Sequence, residues 1–168
     1  VALLGRSNVG KSSLLNALCR ADLARVSATP GRTRLVNFFR VDDALYFVDL
    51  PGYGYAKAPA SERKGWEKPV TSYLLDRDPL ALCLFLVDIR HPDQPGDEAL
   101  RDFLDRNGLP RVVAATKADK LGRGEVARQC QELRRGVGGS ALDVIPVSAR
   151  TGEGIDELWR AIREATTR

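Results

Sequence analysis

The sequence predicts a three-layer α/β fold around a mixed, mostly parallel six-stranded sheet with one antiparallel hairpin. Three observations carry this. Apolar segments of strand length alternate with segments of helical periodicity along the chain, the pattern of a doubly wound sheet. One strand segment, residues 81–87, is continuously apolar, as a strand covered on both faces is. Two strand segments, 35–41 and 44–48, are split only by Asp42-Asp43, which reads as a hairpin turn.

The elements follow in order. Residues 1–4 form a buried strand and 5–10 a loop, and 11–20 form a helix with Leu14, Leu15 and Leu18 as its apolar stripe. Residues 21–34 are polar, with Pro30-Gly31 at their centre, and read as a loop before the hairpin. Asp49-Leu50-Pro51-Gly52 ends the second hairpin strand, and 53–60 form a glycine- and aromatic-marked loop. A helix is expected over 61–75, although Gly65 and Pro69 weaken it. Strands at 81–87, 111–115 and 141–147 alternate with helices at 95–107, 124–135 and 153–166. No interdomain linker, internal repeat or low-complexity tail interrupts the pattern, so residues 1–168 read as one domain. Because the chain opens directly on Val1-Ala2-Leu3-Leu4, it reads as lacking a short N-terminal segment.

Composition excludes several classes. The 168 residues carry a formal charge of +4, which by itself gives no reason to invoke nucleic acid. Fifteen glycines and nine prolines without a repeat exclude collagen-like material. No apolar run reaches the roughly 18 residues of a membrane span. Three cysteines, Cys19, Cys83 and Cys130, sit singly without CxxC spacing and read as packing residues of a reducing compartment. His91 precedes Pro92 in a polar loop, with no second ligand at metal spacing.

The chemistry begins at Gly5-Arg6-Ser7-Asn8-Val9-Gly10-Lys11-Ser12, which matches GxxxxGK[ST] at every fixed position, between a predicted strand and a predicted helix. This is the phosphate loop of P-loop NTPases. Its backbone N–H groups curl around phosphate oxygens, and the helix N-terminus adds its positive end. Lys11 bridges the outer phosphates, and the Ser12 hydroxyl is placed to ligate Mg²⁺. Asp49 of the DxxG string can hold a water on Mg²⁺, and the Gly52 N–H can meet a γ-phosphate. Thr33 is the candidate second hydroxyl on the metal, with Ser27 and Thr29 as competitors in the same loop. Lys11, Thr33 and Gly52 form the candidate catalytic set.

Thr116-Lys117-Ala118-Asp119 follows another strand. Guanine presents N1–H and an amino group to a carboxylate, whereas adenine presents an N1 lone pair. Each charge-assisted bond is worth about 1.5–3 kcal/mol, enough for roughly tenfold discrimination or more. Asp119 is therefore the specificity residue, and Lys117 can lay its stem along the base and reach back to the phosphate loop. Ser148-Ala149 ends the next strand, where the Ala149 N–H can contact the guanine carbonyl and Ser148 can brace the loop. No general base follows Gly52. Tyr53 stands there instead, and a phenol with a pKa near ~10 is a poor base at neutral pH, so intrinsic turnover is expected to be slow. Asn8 is a candidate K⁺ ligand beside the phosphates, or else it braces the loop. Arg32 and Arg34 flank Thr33 as cis charge donors, RNA contacts or a solvated basic loop.

Together the strings Gly5–Ser13, Thr29-Pro30-Gly31-Arg32-Thr33, Asn37-Phe38-Phe39, Asp49-Leu50-Pro51-Gly52-Tyr53-Gly54-Tyr55-Ala56, Thr116-Lys117-Ala118-Asp119-Lys120 and Val147-Ser148-Ala149 resemble the bacterial EngB family, also called YihA or YsxC, among the translation-factor-related small GTPases. The resemblance implies phosphate contacts from Gly5 through Ser13, Thr33 as the effector-loop magnesium threonine, and Lys117 with Asp119 as the guanine pair. It also places Tyr53 at the usual catalytic glutamine position. Thr116 stands where many GTPases have asparagine, which leaves bracing of the base loop open. The resemblance further implies a role in maturation of the large ribosomal subunit, with rRNA and ribosomal proteins as partners. The expected protein is a cytoplasmic monomer that does not use a membrane, or a relative working in an organelle. K⁺ dependence is an open expectation, since the Asn8 pattern is shared with cation-activated relatives. Two other readings stand beside this one: a P-loop kinase, which would need an acceptor pocket and an arginine-rich lid, and a nucleotide-gated RNA- or protein-binding module with negligible turnover.

Overall fold

A computed structural model describes residues 1–24, 36–41, 43, 45–53, 67–76, 79–92, 94–136 and 141–167. The elements are β1 (Ala2–Gly5), α1 (Lys11–Cys19), β2 (Asn37–Val41), β3 (Leu45–Asp49), α2 (Glu67–Leu75), β4 (Cys83–Asp88), α3 (Pro95–Arg106), β5 (Arg111–Thr116), a 3₁₀ turn (Ala118–Lys120), α4 (Arg123–Gly136), β6 (Ala141–Pro146) and α5 (Ile155–Thr166). The six strands form one sheet in the order β2-β3-β1-β4-β5-β6. β2 and β3 pair antiparallel, and every other neighbouring pair is parallel. The expected mixed sheet and its single hairpin are both present.

Alternation along the strands divides the core. Leu3, Leu84, Leu86, Val112 and Ala114 face one side, where Leu14, Leu15 and Leu18 of α1 meet Leu158 and Ile162 of α5. Leu4, Phe85, Val87, Val113 and Ala115 face the other, against Val70 and Leu74 of α2, Leu100 and Leu104 of α3, and Cys130 of α4. Each central strand is therefore apolar at consecutive positions because successive side chains enter different cores. Trp159 of α5 packs edge-on to Phe47, 5.6 Å between ring centroids, and its indole N–H donates to Leu18 O at 3.0 Å.

The element ends differ from expectation by a few residues, for local reasons. The last helix begins at Ile155 rather than near Glu153 because Gly152 and Gly154 adopt φ of 82° and 73°. A Cβ at Gly154 would lie 2.1 Å from Pro146 O, so only glycine fits there. Of the helix expected over 61–75, the described part is α2; residues 61–66, including Trp66, lie outside the described residues. The 3₁₀ turn at Ala118–Lys120 had no counterpart in the sequence reading.

The parallel strands end together at one edge of the sheet, so the loops after β1, β3, β4, β5 and β6 converge there. In open α/β sheets that edge is where ligands bind.

Candidate functional site: a nucleotide cleft at the strand ends

The loop after β1 takes a path that few side chains permit. A Cβ on Gly5 would meet Leu86 O and Val9 Cγ1, both at 2.9 Å. Asn8 and Gly10 both lie in the left-handed region, with φ of 64° and 108°, and Gly10 caps α1. This aims the first N–H groups of α1 into the concavity. Lys11 is buried and folds back over the loop, its Nζ donating to Gly5 O at 3.2 Å and Arg6 O at 3.4 Å. Burial lowers the Lys11 pKa, and the Asp49 charge opposes that shift. Ser12 and Ser13 follow, half-buried, in the first turn of α1.

Asp49 closes this end of the cleft from the tip of β3, paired in register with Leu3. It is 3% exposed, and its Oδ1 is buried without a hydrogen-bond partner. Burial raises its carboxyl above the usual range while Lys11 pulls it down. A buried carboxylate oxygen left unsatisfied in this way fits a hard cation or its water, so the donor set suits Mg²⁺. Gly52 lies directly over the loop: a Cβ there would fall 2.8 Å from Lys11 Nζ and 2.9 Å from the Ser7 nitrogen. The Ser7 N–H donates to Tyr53 O at 2.9 Å, and the Ser7 hydroxyl approaches Gly52 O at 3.5 Å. Thr33, with Ser27, Thr29, Arg32 and Arg34, lies outside the described residues.

The base side is equally well defined. A cavity of about 230 Å³ is lined by Val9, Gly10, Thr116, Lys117, Asp119 and Ala149, among others. Asp119 accepts from Ser148 Oγ at 2.8 Å and from Arg150 Nε at 2.9 Å. The Ser148 bond, with Arg150 assisting, holds its carboxyl below the usual range. An ionised carboxylate offers about four lone-pair sites, so these bonds leave room for a base edge. Lys117, at φ 62°, sends its Nζ to Asn8 O at 2.8 Å and to Asp88 Oδ2 at 2.9 Å. Its reach to the phosphate loop is thus realised. The Thr116 hydroxyl sits 2.7 Å from Val9 O and 3.2 Å from Val87 O, fully inside the protein. The bracing that an asparagine would give is supplied by a shorter side chain.

Three site features were not read from the sequence. Asp88, at the end of β4, receives Arg90 Nε and Nη2 at 2.9 and 2.8 Å as well as Lys117. Burial alone would raise its carboxyl, but the Arg90 and Lys117 hydrogen bonds outweigh this and hold it well below the usual range. Arg150 lies on Asp119. Tyr53 is 4% exposed in the core, and its hydroxyl donates to Asp97 Oδ1 at 2.5 Å. The only sequence signal for Asp88 was an acidic residue at the carboxyl end of a strand beside the base loop.

The chain matches, over residues 1–117, the family model described as 50S ribosome-binding GTPase. It is 49% identical over 164 residues to a probable GTP-binding protein EngB of Pelotomaculum thermopropionicum, covering 96% of this chain and 83% of the relative. The chain belongs to the EngB family. It is a GTP-binding and GTP-hydrolysing protein with a ribosome-linked role. A crystal structure of a probable GTP-binding protein engB superposes with a TM-score of 0.82 at 25% identity, covering 99% of this chain and 97% of that one. Era in complex with MgGDPNP and nucleotides 1506–1542 of 16S ribosomal RNA superposes at 0.79 with 25% identity, over 98% of this chain and 55% of that one.

Within an EngB-family cleft the burial of Tyr53 has a plain consequence. Its ring is inserted in the core, and burial together with the Asp97 charge pushes the phenol far above its ordinary range. The position after Gly52 therefore offers no titrating group to an attacking water. No helix among the described residues is long and apolar enough to cross a membrane.

Proposed function

We propose that the whole chain acts as one monomeric, cytoplasmic G domain: a Mg²⁺-dependent GTP switch that assists assembly of the large ribosomal subunit on precursor particles of rRNA and ribosomal proteins. The observation that carries the nucleotide part is the Asp119 carboxylate, fixed by Ser148 in a cavity that shares Val9 and Gly10 with the phosphate loop. The family description carries the ribosomal part, and the likeness to Era, which binds ribosomal RNA, adds to it.

In this reading the residues divide the work. Asp119 accepts the guanine N1–H and amino group, the Ala149 N–H meets the guanine carbonyl, Lys117 covers the base plane, and Thr116 keeps the base loop joined to Val9. The Ser7 and Val9 N–H groups are bonded to Tyr53 O and Arg6 O, so the N–H groups from Gly10 to Ser13 at the start of α1 hold the α- and β-phosphates, and Lys11 spans the β- and γ-oxygens. Ser12, Thr33 and the Asp49 carboxylate are the residues for Mg²⁺, which supplies charge neutralisation on the phosphates. Water attacks the γ-phosphorus, the bond to the β–γ bridging oxygen breaks, and GDP and phosphate leave. Gly52 donates its N–H to the γ-phosphate, so that contact is made with GTP and lost with GDP. Without a side-chain base, orientation and charge do the catalysis, and turnover is slow until a cation or partner contributes. Asn8 is the candidate K⁺ ligand.

The test measures GTP and ATP hydrolysis with Mg²⁺ in K⁺ or Na⁺, with and without purified large-subunit precursor. GTP-selective turnover stimulated by the particle is expected, and stimulation by K⁺ over Na⁺ supports the Asn8 role. Equal use of ATP would overturn the guanine assignment. Particle binding indifferent to GTP or GDP would overturn the switch.

A further inference from the structure

Tyr53 and Asp97 form a buried pair that GTP binding as described does not use. They lie 4% and 6% exposed, on the segment after Gly52 and in the first turn of α3, with a 2.5 Å hydrogen bond between them. Two further contacts define the fit. Gly96 admits the ring: a Cβ there would stand 2.8 and 2.9 Å from Tyr53 Cδ2 and Cε2. The backbone of Tyr53 bridges to Arg6, and its carbonyl accepts the Ser7 N–H at 2.9 Å. One residue earlier, Gly52 lies on Lys11 and Ser7.

Packing alone would be satisfied by phenylalanine. Placing a hydroxyl and a carboxylate in the core costs desolvation, which their mutual hydrogen bond helps to offset, and that bond fixes the position of the ring. Burial raises the Asp97 carboxyl, and the tyrosine hydrogen bond and the nearby Arg6 and Arg101 charges pull it down, while Asp88 pushes it up. The phenol stays protonated and donates throughout the neutral range.

We propose that Asp97 is a positioning residue for the γ-phosphate: through the Tyr53 hydroxyl it holds Gly52 against the phosphate loop and ties that contact to α3. The proposal rests on the GTPase reading above and deepens it. Asp97 touches no nucleotide; it acts through Tyr53 on the one N–H that distinguishes GTP from GDP.

The experiment uses the full chain and its variants Tyr53→Phe, Asp97→Ala, Asp97→Asn, Gly96→Ala and the double variant Tyr53→Phe/Asp97→Ala. Affinities for GDP and a non-hydrolysable GTP analogue are measured beside single-turnover GTP hydrolysis. Tyr53→Phe and Asp97→Ala are expected to lower analogue affinity and hydrolysis about five- to tenfold, with GDP affinity within about twofold. The double variant should be no worse than either single, since both remove the same bond. Asp97→Asn retains a carbonyl acceptor and should stay within about twofold of the parent. Gly96→Ala, which displaces the ring without touching the hydrogen-bonding groups, should reproduce the loss and serves as the second variant if Asp97→Ala does not fold. The proposal is overturned if Tyr53→Phe leaves the GTP-to-GDP affinity ratio and the rate unchanged, or if GDP affinity falls in parallel. A parent protein that does not prefer GTP to ATP would instead bring down the GTPase reading.

Discussion

Replacing Thr116 by valine removes one hydroxyl and leaves the side-chain shape almost unchanged. In the structure that hydroxyl joins the end of β5 to the phosphate loop through Val9 O at 2.7 Å, with Val87 O of β4 at 3.2 Å. Thr116 is 4% exposed, so water cannot replace the lost donor without rearrangement. Stranding a buried carbonyl in this way costs about 1–3 kcal/mol. At a urea slope of about 2 kcal/mol/M, the unfolding midpoint should fall by roughly 0.5–1.5 M. The Val9 carbonyl belongs to the loop that cradles phosphates, and its neighbour Asn8 O is held by Lys117. If about 1–2 kcal/mol of the cost reappears as disorder in that loop, GDP affinity drops about five- to thirtyfold. Fluorescent GDP titration and urea unfolding on the same preparations provide the assay. A variant that loses stability but binds GDP as tightly as the parent would refute the argument that Thr116 braces the cradle.

Other consequences are open to direct measurement. Asp119→Ala should cost GTP affinity about a hundredfold or more, because two charge-assisted bonds to the base disappear, and competition titration with ATP should show the preference for guanine collapsing. Asp88 is held below the usual carboxylate range, so its contribution to stability is complete above the unfolded value of about 3.9 and is lost as pH falls below it. The stability gap between the parent and Asp88→Asn should therefore be present at pH 7 and shrink at pH 3; a gap independent of pH in urea melts would contradict this. Burial pushes the Cys83 thiol up to about 12 and also raises Cys130, whereas Cys19 is only half-buried. A thiol reagent at neutral pH should titrate Cys19 in the native protein and reach Cys83 and Cys130 only after denaturation.

Much of this architecture was legible because its causes are local. Continuous apolar runs identify strands buried on both faces, and Gly5, Gly10 and Lys11 stand at fixed spacing because a backbone cradle and a helix start demand it. Asp119 was legible for the same reason, lying three residues after the strand that positions it. What escaped was chemistry made by distant partners. Asp97 sits 44 positions from Tyr53, Asp88 is 29 from Lys117, and Arg150 is 31 from Asp119. A charged residue in a polar segment looks the same in sequence whether it faces water or a buried hydroxyl. The family resemblance places Tyr53 at a catalytic position, yet its surroundings, set by Gly96 and the α3 core, make it an internal tie. The bracing role of Thr116 is not legible in the sequence because asparagine and threonine reach different distances, and only the approach of Val9 O to β5 decides the matter. Thr33, the metal threonine of the sequence reading, falls outside the described residues.

Lys117 spans two territories that a nucleotide also spans. Its amine grips the loop that receives phosphate while its stem borders the cavity that receives the base. Guanosine without phosphates, or pyrophosphate without a base, should each meet a cleft only partly organised by its own contacts. The complete nucleotide should then bind more tightly than its halves predict by simple addition, and discrimination at one end of the ligand becomes audible at the other.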